Sequence, residues 1–251
     1  MRWANIKEWR VENMPTLLLR LGAPLQSWGS SSVYDSRETD DMPTKSGVIG
    51  MLASALGRKR DEPVDDLSRL KFGVRIDQPG IRISDFQITE MSSVKGNKLN
   101  SNLSTKIYLS DALFLVGLES SNREILEQIG YAINHPVYVL YLGRRSCPPT
   151  MPLNLGIREE NLEGALRNEP SLVSRDNRNG QRRSNSKRIV IESLDVEEAI
   201  KKDVPISFSP YHREYGYRYM KELEPYVENE DFKGEDIELT KLEHDPMKEL
   251  R

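Results

Sequence analysis

The residues best equipped for chemistry lie in a loop and in the first turn of the helix that follows it. Pro24-Leu25-Gln26-Ser27-Trp28-Gly29 follows the apolar run Leu17-Leu18-Leu19-Arg20-Leu21, and a polar stretch containing Arg37 leads to Pro43-Thr44-Lys45-Ser46-Gly47. From Val48 to Leu56 apolar residues recur at helical spacing and stop at Gly57, which makes Thr44, Lys45 and Ser46 a helix start. A helix N-terminus presents unpaired backbone N–H groups and a partial positive charge, and this suits a phosphate. Lys45 adds a full charge, and Trp28 offers a flat face on which a nucleobase could stack. The same residues also admit a structural reading, with Thr44 as N-cap, Trp28 in the core and Lys45 in water. Gly-x-x-x-x-Gly-Lys-[Ser/Thr] is absent, so no nucleotide hydrolysis follows.

A second basic group is the turn Gly143-Arg144-Arg145-Ser146, whose arginines could hold phosphates in bidentate fashion or stack on bases. A third is Lys95, Lys98 and Lys106, in and beside a stretch rich in Ser, Asn and Gly, with Tyr108 just beyond. Several elements must position these groups. Leu17–Leu21 reads as a strand, Thr44–Leu56 as a helix, and Leu70–Ile76 and Ile81–Ile88 as strands separated by the turn Asp77-Gln78-Pro79-Gly80. The pairing partner of Ile81–Ile88 is expected to begin near Lys106, which leaves 92–105 as a hairpin tip or extended loop too polar for the core. Asp111–Leu118 reads as a strand, Ser121–Asn134 as a helix and Val137–Leu142 as a last strand. The order β-α-β-β-α-β predicts an α+β, ferredoxin-like (RRM-like) domain with a protruding thumb hairpin. Its first and last strands lie in one sheet, so the loop at Trp28, the helix start and the Arg144 turn can converge.

Beyond Leu153 a smaller, β-rich C-terminal region is expected, with a short helix over Glu159–Arg167 and strands at Arg188–Ile191 and Val204–Phe208. The domain plan is therefore an extension at 1–13, a main domain at 14–153 with its thumb at about 92–105, a C-terminal region at 154–220 and an acidic tail at 221–251. In the extension, Trp3, Ile6 and Trp9 share helical spacing and are placed to dock on the body.

Net charge over the 251 residues is −3, but the charge is segregated. Arg167 to Arg188 holds seven basic residues against two acidic, whereas Lys221 to Arg251 holds five against eleven. A basic segment beside an acidic tail is compatible with RNA on one face and protein or solvent elsewhere. Cys147 is the only cysteine, which excludes an internal disulfide, argues against a thiolate zinc site and suits a reducing cytoplasm. The histidines at 135, 212 and 244 have no metal-ligand spacing. Neither a signal peptide nor a run of about 20 apolar residues is present, so no membrane role is expected. No cofactor is expected either.

Three ordered motifs carry a family resemblance. Pro24-Leu25-Gln26-Ser27-Trp28-Gly29 with Arg37 and Pro43-Thr44-Lys45-Ser46-Gly47-Val48-Ile49-Gly50, then Ile107-Tyr108-Leu109-Ser110-Asp111-Ala112, then Tyr141-Leu142-Gly143-Arg144-Arg145-Ser146-Cys147-Pro148-Pro149 closely resemble the CasD subunits of type I-E CRISPR Cascade complexes. These belong to the repeat-associated (RAMP) superfamily. The resemblance implies a non-catalytic subunit that caps the 5′ handle of the CRISPR RNA, with residues 92–105 matching the thumb that kinks the RNA. It implies contacts with a Cascade backbone subunit and the large subunit, and with target DNA only indirectly through the complex. The RNA-binding residues expected on both grounds are Gln26, Ser27, Trp28, Arg37, Thr44, Lys45, Ser46, Lys95, Lys98, Lys106, Tyr108, Gly143, Arg144, Arg145 and Ser146. A rival reading is a metal-independent endoribonuclease, as in type I-C relatives. That chemistry calls for a general acid/base, most often His, near a stabilising Lys. Lys106 is present but no histidine stands beside it, and a Tyr34–Lys106 pair would be a poor base at neutral pH.

Overall fold

A computed structural model describes residues 14–29, 36–92, 99–173, 186–193, 199–224 and 226–227. In chain order the elements are β1 (Thr16–Gly22), β2 (Leu25–Gln26), β3 (Ser36–Arg37), α1 (Lys45–Ala55), α2 (Asp65–Ser68), β4 (Lys71–Gln78), β5 (Ile81–Ser92), β6 (Leu99–Ser110), β7 (Leu113–Glu119) and α3 (Arg123–Asn134). They continue as β8 (Asn154–Arg158), α4 (Leu162–Asn168), β9 (Ser186–Ser193), β10 (Ala199–Phe208), β11 (Arg213–Glu222) and β12 (Tyr226–Val227).

The main sheet runs β10-β11-β9-β4-β7-β1-β8, with β12 also paired to β9. Its β4-β7-β1-β8 half, with α1 after β1 and α3 after β7, is the ferredoxin-like arrangement. The strands are apolar on both faces because both faces are covered. Along β1, Leu17, Leu19 and Leu21 point into the core shared with α1 and α3, whereas Leu18 points to α4 with Leu115, Leu162, Leu166 and Ile189. Each fully buried leucine contributes about 1.5–3 kcal/mol, so β1 alone anchors the domain.

The edge strand of this half is Asn154–Arg158, paired to β1, and not Val137–Leu142. The apolar run at 137–142 forms no strand: Val137, Tyr138 and Val139 lie exposed, and only Leu140 and Leu142 are buried. Its residues therefore carry β-propensity without a sheet to complete. The last strand falls just past Leu153, so the ferredoxin-like core straddles the expected boundary at 153.

The expected C-terminal helix and strands form, as α4, β9 and β10, and the strands extend the main sheet, β9 pairing along β4 from Gly73↔Ile191 to Ile76↔Arg188. The thumb is more regular than its composition implies. β5 and β6 pair from Ile81↔Ser110 to Ser92↔Leu99, so the strand expected to begin near Lys106 starts at Leu99. The base of this ribbon binds the first loop: β2 pairs with β6 at Leu25↔Ser110, and β3 runs parallel to it at Arg37↔Lys106. The extension at 1–13, Lys95 and Lys98, residues 174–185 of the basic Arg167–Arg188 segment and most of the acidic tail lie outside the described residues.

Candidate nucleic-acid interface

The first loop, the start of α1 and the Arg144 turn do converge. They enclose an open cavity of ≈ 540 Å³ lined by Ser27, Trp28, Gly29, Arg37, Glu38, Thr44, Ser46, Gly47, Gly143, Arg144, Arg213 and Tyr215.

The turn is docked on the first loop by backbone. Ser27 N–H donates to the Leu142 carbonyl at 3.2 Å, and Leu142 N–H donates to Cys147 O at 2.8 Å. Gly143 has φ +86°, and a Cβ there would lie 1.6 Å from the Ser27 carbonyl oxygen. Only glycine allows both the left-handed backbone and this approach. Arg144 then projects over the Tyr108 ring, its guanidinium carbon 4.6 Å from the centroid, and its Nη2 donates to the Arg37 carbonyl at 2.8 Å. The Nη1 of Arg144 is buried without a hydrogen-bond partner among the described residues. A buried charged donor left open is costly, and an arriving acceptor would relieve that cost. The side chains of Arg37 and Arg213 are exposed and form no hydrogen bond or ion pair among the described residues.

The helix start is built differently from expectation. Thr44 is the N-cap, its Oγ1 accepting from Gly47 N–H at 3.2 Å. Lys45 N–H donates to the Asp203 carboxylate at 2.9 Å, and Val48 N–H to Thr44 O at 3.1 Å. Only the Ser46 N–H, on the cavity wall, keeps no acceptor among the described residues. Asp203 is itself held by Arg218 at 2.6 and 2.9 Å. The macrodipole of α1 is therefore answered from within the protein.

Lys45 does not face the cavity. Its side chain is 3% exposed and its Nζ sits 3.0 and 2.8 Å from the two Glu192 oxygens. Burial pushes the Lys45 ammonium below its usual range, against the pull of Glu192. Trp28 departs from the stacking role as well. Its indole is 1% exposed and donates to Gln26 Oε1 at 3.0 Å, while the Gln26 amide donates to Ala112 O at 2.7 Å and Leu21 O at 3.3 Å. A tryptophan whose N–H is satisfied inside is a packing residue, and its ring edge supports the cavity floor against Gly47. Trp28 thus lends a packed edge to the cavity wall, and Gln26 braces it from behind.

The remaining expected residues sit at the periphery. Lys106 Nζ donates to Gln87 Oε1 within the ribbon. Tyr108 is buried under Arg144, its hydroxyl 3.5 Å from Ser146 Oγ. Arg145 is exposed beside the cavity. Cys147 is fully buried, and burial raises its thiol pKa against the weaker effects of Ser146 and Arg144. Sequence reasoning missed Arg213 and Tyr215, which reach the cavity from β11. Their signal was the alternation of Tyr215, Tyr217 and Tyr219, which marks a strand with one aromatic face.

The class defined by this architecture is a ferredoxin-like α+β scaffold with a β-ribbon thumb and an arginine-lined cavity beside its first helix. The comparisons give the family. The family model described as CRISPR-associated protein (Cas_Cas5) matches residues 16–221, and the chain belongs to this family. The CRISPR system Cascade subunit CasD of Escherichia coli strain K12 is 35% identical over 156 residues, covering 56% of this chain and 70% of the relative. A solved Cas protein superimposes with a TM-score of 0.65 at 37% identity, covering 83% of this chain and 93% of its own. A chain of a CRISPR RNA-guided surveillance complex does so with 0.66 at 29% identity, covering 84% and 89%.

Proposed function

We propose that this chain is the non-catalytic subunit that holds the 5′ handle of a CRISPR RNA in a type I-E Cascade complex, and that the cavity is where it holds it. The observation carrying this reading is the convergence of Arg37, Arg144 and Arg213 on one open cavity, with Arg144 Nη1 buried and unpaired. Three cations, the Ser46 N–H and the flat face of Tyr215 match phosphates flanking a single-stranded nucleotide. Similarity to CasD and to a chain of an RNA-guided complex supports the same assignment. Arg145 and Lys106 extend the basic surface toward the thumb, and Lys95 and Lys98, outside the described residues, are assigned to RNA by the same reading. Exposed Phe86, Ile88 and Leu103 share one face of the ribbon and suit a neighbouring protein, the backbone subunit in this reading. Contact with the large subunit, and with target DNA through the complex, follows from the same assignment.

The site in this reading binds RNA without cutting it. Among the described residues no histidine lines the cavity. Arg213 and Tyr215 face it, so His212 and Glu214, which pair at 3.0 Å, project from the opposite side of the strand. His135 caps the C-terminus of α3, its ring stacked on Tyr131. The test is incubation of the purified protein with precursor repeat RNA in EDTA. A shifted, intact RNA is expected; a cut RNA would replace this reading with the endoribonuclease.

A further inference from the structure

A second cavity lies on the helical side of the domain, away from the arginines. It holds ≈ 500 Å³ and is lined by Ala55, Leu56, Glu127, Gln128, Tyr131, Ala132, His135 and Val137. Tyr131 is 67% exposed and Val137 63%, and the Tyr131 and His135 rings stack at 4.4 Å to form one flat wall. Val137 is fixed here by donating its N–H to Ala55 O at 3.0 Å. The groove is thus a built apolar feature on an otherwise polar helix face, with nothing described upon it.

We propose that the chain's own N-terminal segment, residues 1–13, docks in this groove as an amphipathic helix. The segment Met-Arg-Trp-Ala-Asn-Ile-Lys-Glu-Trp-Arg-Val-Glu-Asn puts Trp3, Ile6 and Trp9 on one side of a helix. That is more aromatic surface than a solvated extension has use for. The described chain begins beside the groove's own helix. Pro15 O accepts from Ser120 N–H at 3.3 Å, just ahead of the Asn122 cap of α3. Two residues on, Leu17 Cδ1 lies 3.8 Å from where a Cβ on Gly130 of α3 would stand. From Glu127 to His135 the groove extends about 12 Å along that helix, and 13 residues span about 20 Å even when fully helical. From the Asn122 cap, Tyr131 lies about 14 Å and His135 about 20 Å along the helix, so the segment just spans the way to the groove, and an indole on the Tyr131–His135 wall makes an offset aromatic stack. The segment acts as an intramolecular clasp that covers α1 and α3, independent of what the arginine cavity binds.

Paired cysteines test this in the full-length protein. Lys7→Cys on the polar flank of the segment, combined with Gln128→Cys on the groove rim, is oxidised with copper-phenanthroline and read as a mobility shift on non-reducing gels; Cys147 is buried and does not compete. An intramolecular crosslink is expected, falling several-fold when exposed Tyr131→Glu or Val137→Asp is added. Absence of the crosslink while both introduced thiols take up maleimide overturns the proposal. So does a crosslink that ignores both groove substitutions, or one that appears only between two chains.

Discussion

Reversing the charge at Lys45 separates the two roles that its sequence context allows. On a phosphate-facing lysine, Lys45→Glu weakens RNA binding and leaves the fold alone. In the structure Nζ lies 2.8 Å from Glu192, with the lysine side chain 3% exposed and the glutamate 20%. At an effective dielectric of 20 the gross attraction at that separation is about 6 kcal/mol, most of it cancelled by the desolvation of both ions. The lowered Lys45 pKa carries the same message, since burial outweighs its partner. Lys45→Glu sets two carboxylates together and is expected to cost about 3–5 kcal/mol, a large part of a domain's 5–15 kcal/mol. Lys45→Met leaves Glu192 with only the Phe72 N–H, donated at 3.1 Å, and is expected to cost about 1–3 kcal/mol. Adding Glu192→Gln removes the second charge, keeps an acceptor for Phe72 and recovers most of that loss. Urea unfolding followed by circular dichroism reads all four proteins. The pH dependence gives a further sign. Between the lowered folded value and 10.5 the unfolded chain holds the extra proton, so stability rises with pH in that window. Lys45→Met removes this rise. A Lys45→Glu protein that unfolds like wild type yet loses RNA affinity would refute the buried pairing.

Two further outcomes follow from the turn. Gly143→Ala imposes a left-handed backbone on alanine and drives its Cβ into the Ser27 carbonyl, so it is expected to cost about 3 kcal/mol in urea unfolding and to loosen the cavity; a near-neutral effect would mean the turn is not docked as described. Cys147, buried with a raised pKa, is expected to resist Ellman's reagent in the native protein at pH 8 and to react fully in urea, and a fast native reaction would contradict its burial.

The ferredoxin-like core was legible where one short-range signal decides structure. Leu17–Leu21 is apolar without a break because both of its faces are buried, and Val48–Leu56 keeps a helical period that ends at Gly57. Val137–Leu142 misled because Val, Tyr and Leu carry the same propensity on a surface as in a sheet. The true edge strand, Asn154-Leu155-Gly156-Ile157-Arg158, is half-buried and contains Asn and Gly, so its pairing to β1 is a tertiary choice. The site was legible as a convergence of loops and much less so as a set of roles. Lys45 is claimed by a partner 147 residues away and the α1 N-terminus by one 158 residues away, separations over which spacing carries no information. Trp28 in a Gln-Ser-Trp-Gly loop looks the same from sequence whether its indole meets a base or Gln26.

The central claim rests on three arginines from three separate segments acting on one RNA. Its most direct test is the salt dependence of handle-RNA binding by wild type and by Arg37→Ala/Arg144→Ala/Arg213→Ala, with unfolding curves alongside. Each phosphate contact to single-stranded RNA contributes about 0.7 to the slope of log K against log salt, so the variant's slope is expected to be shallower by about 2 with unfolding little changed. An unchanged slope and affinity in a folded variant would contradict the assignment of the cavity to RNA.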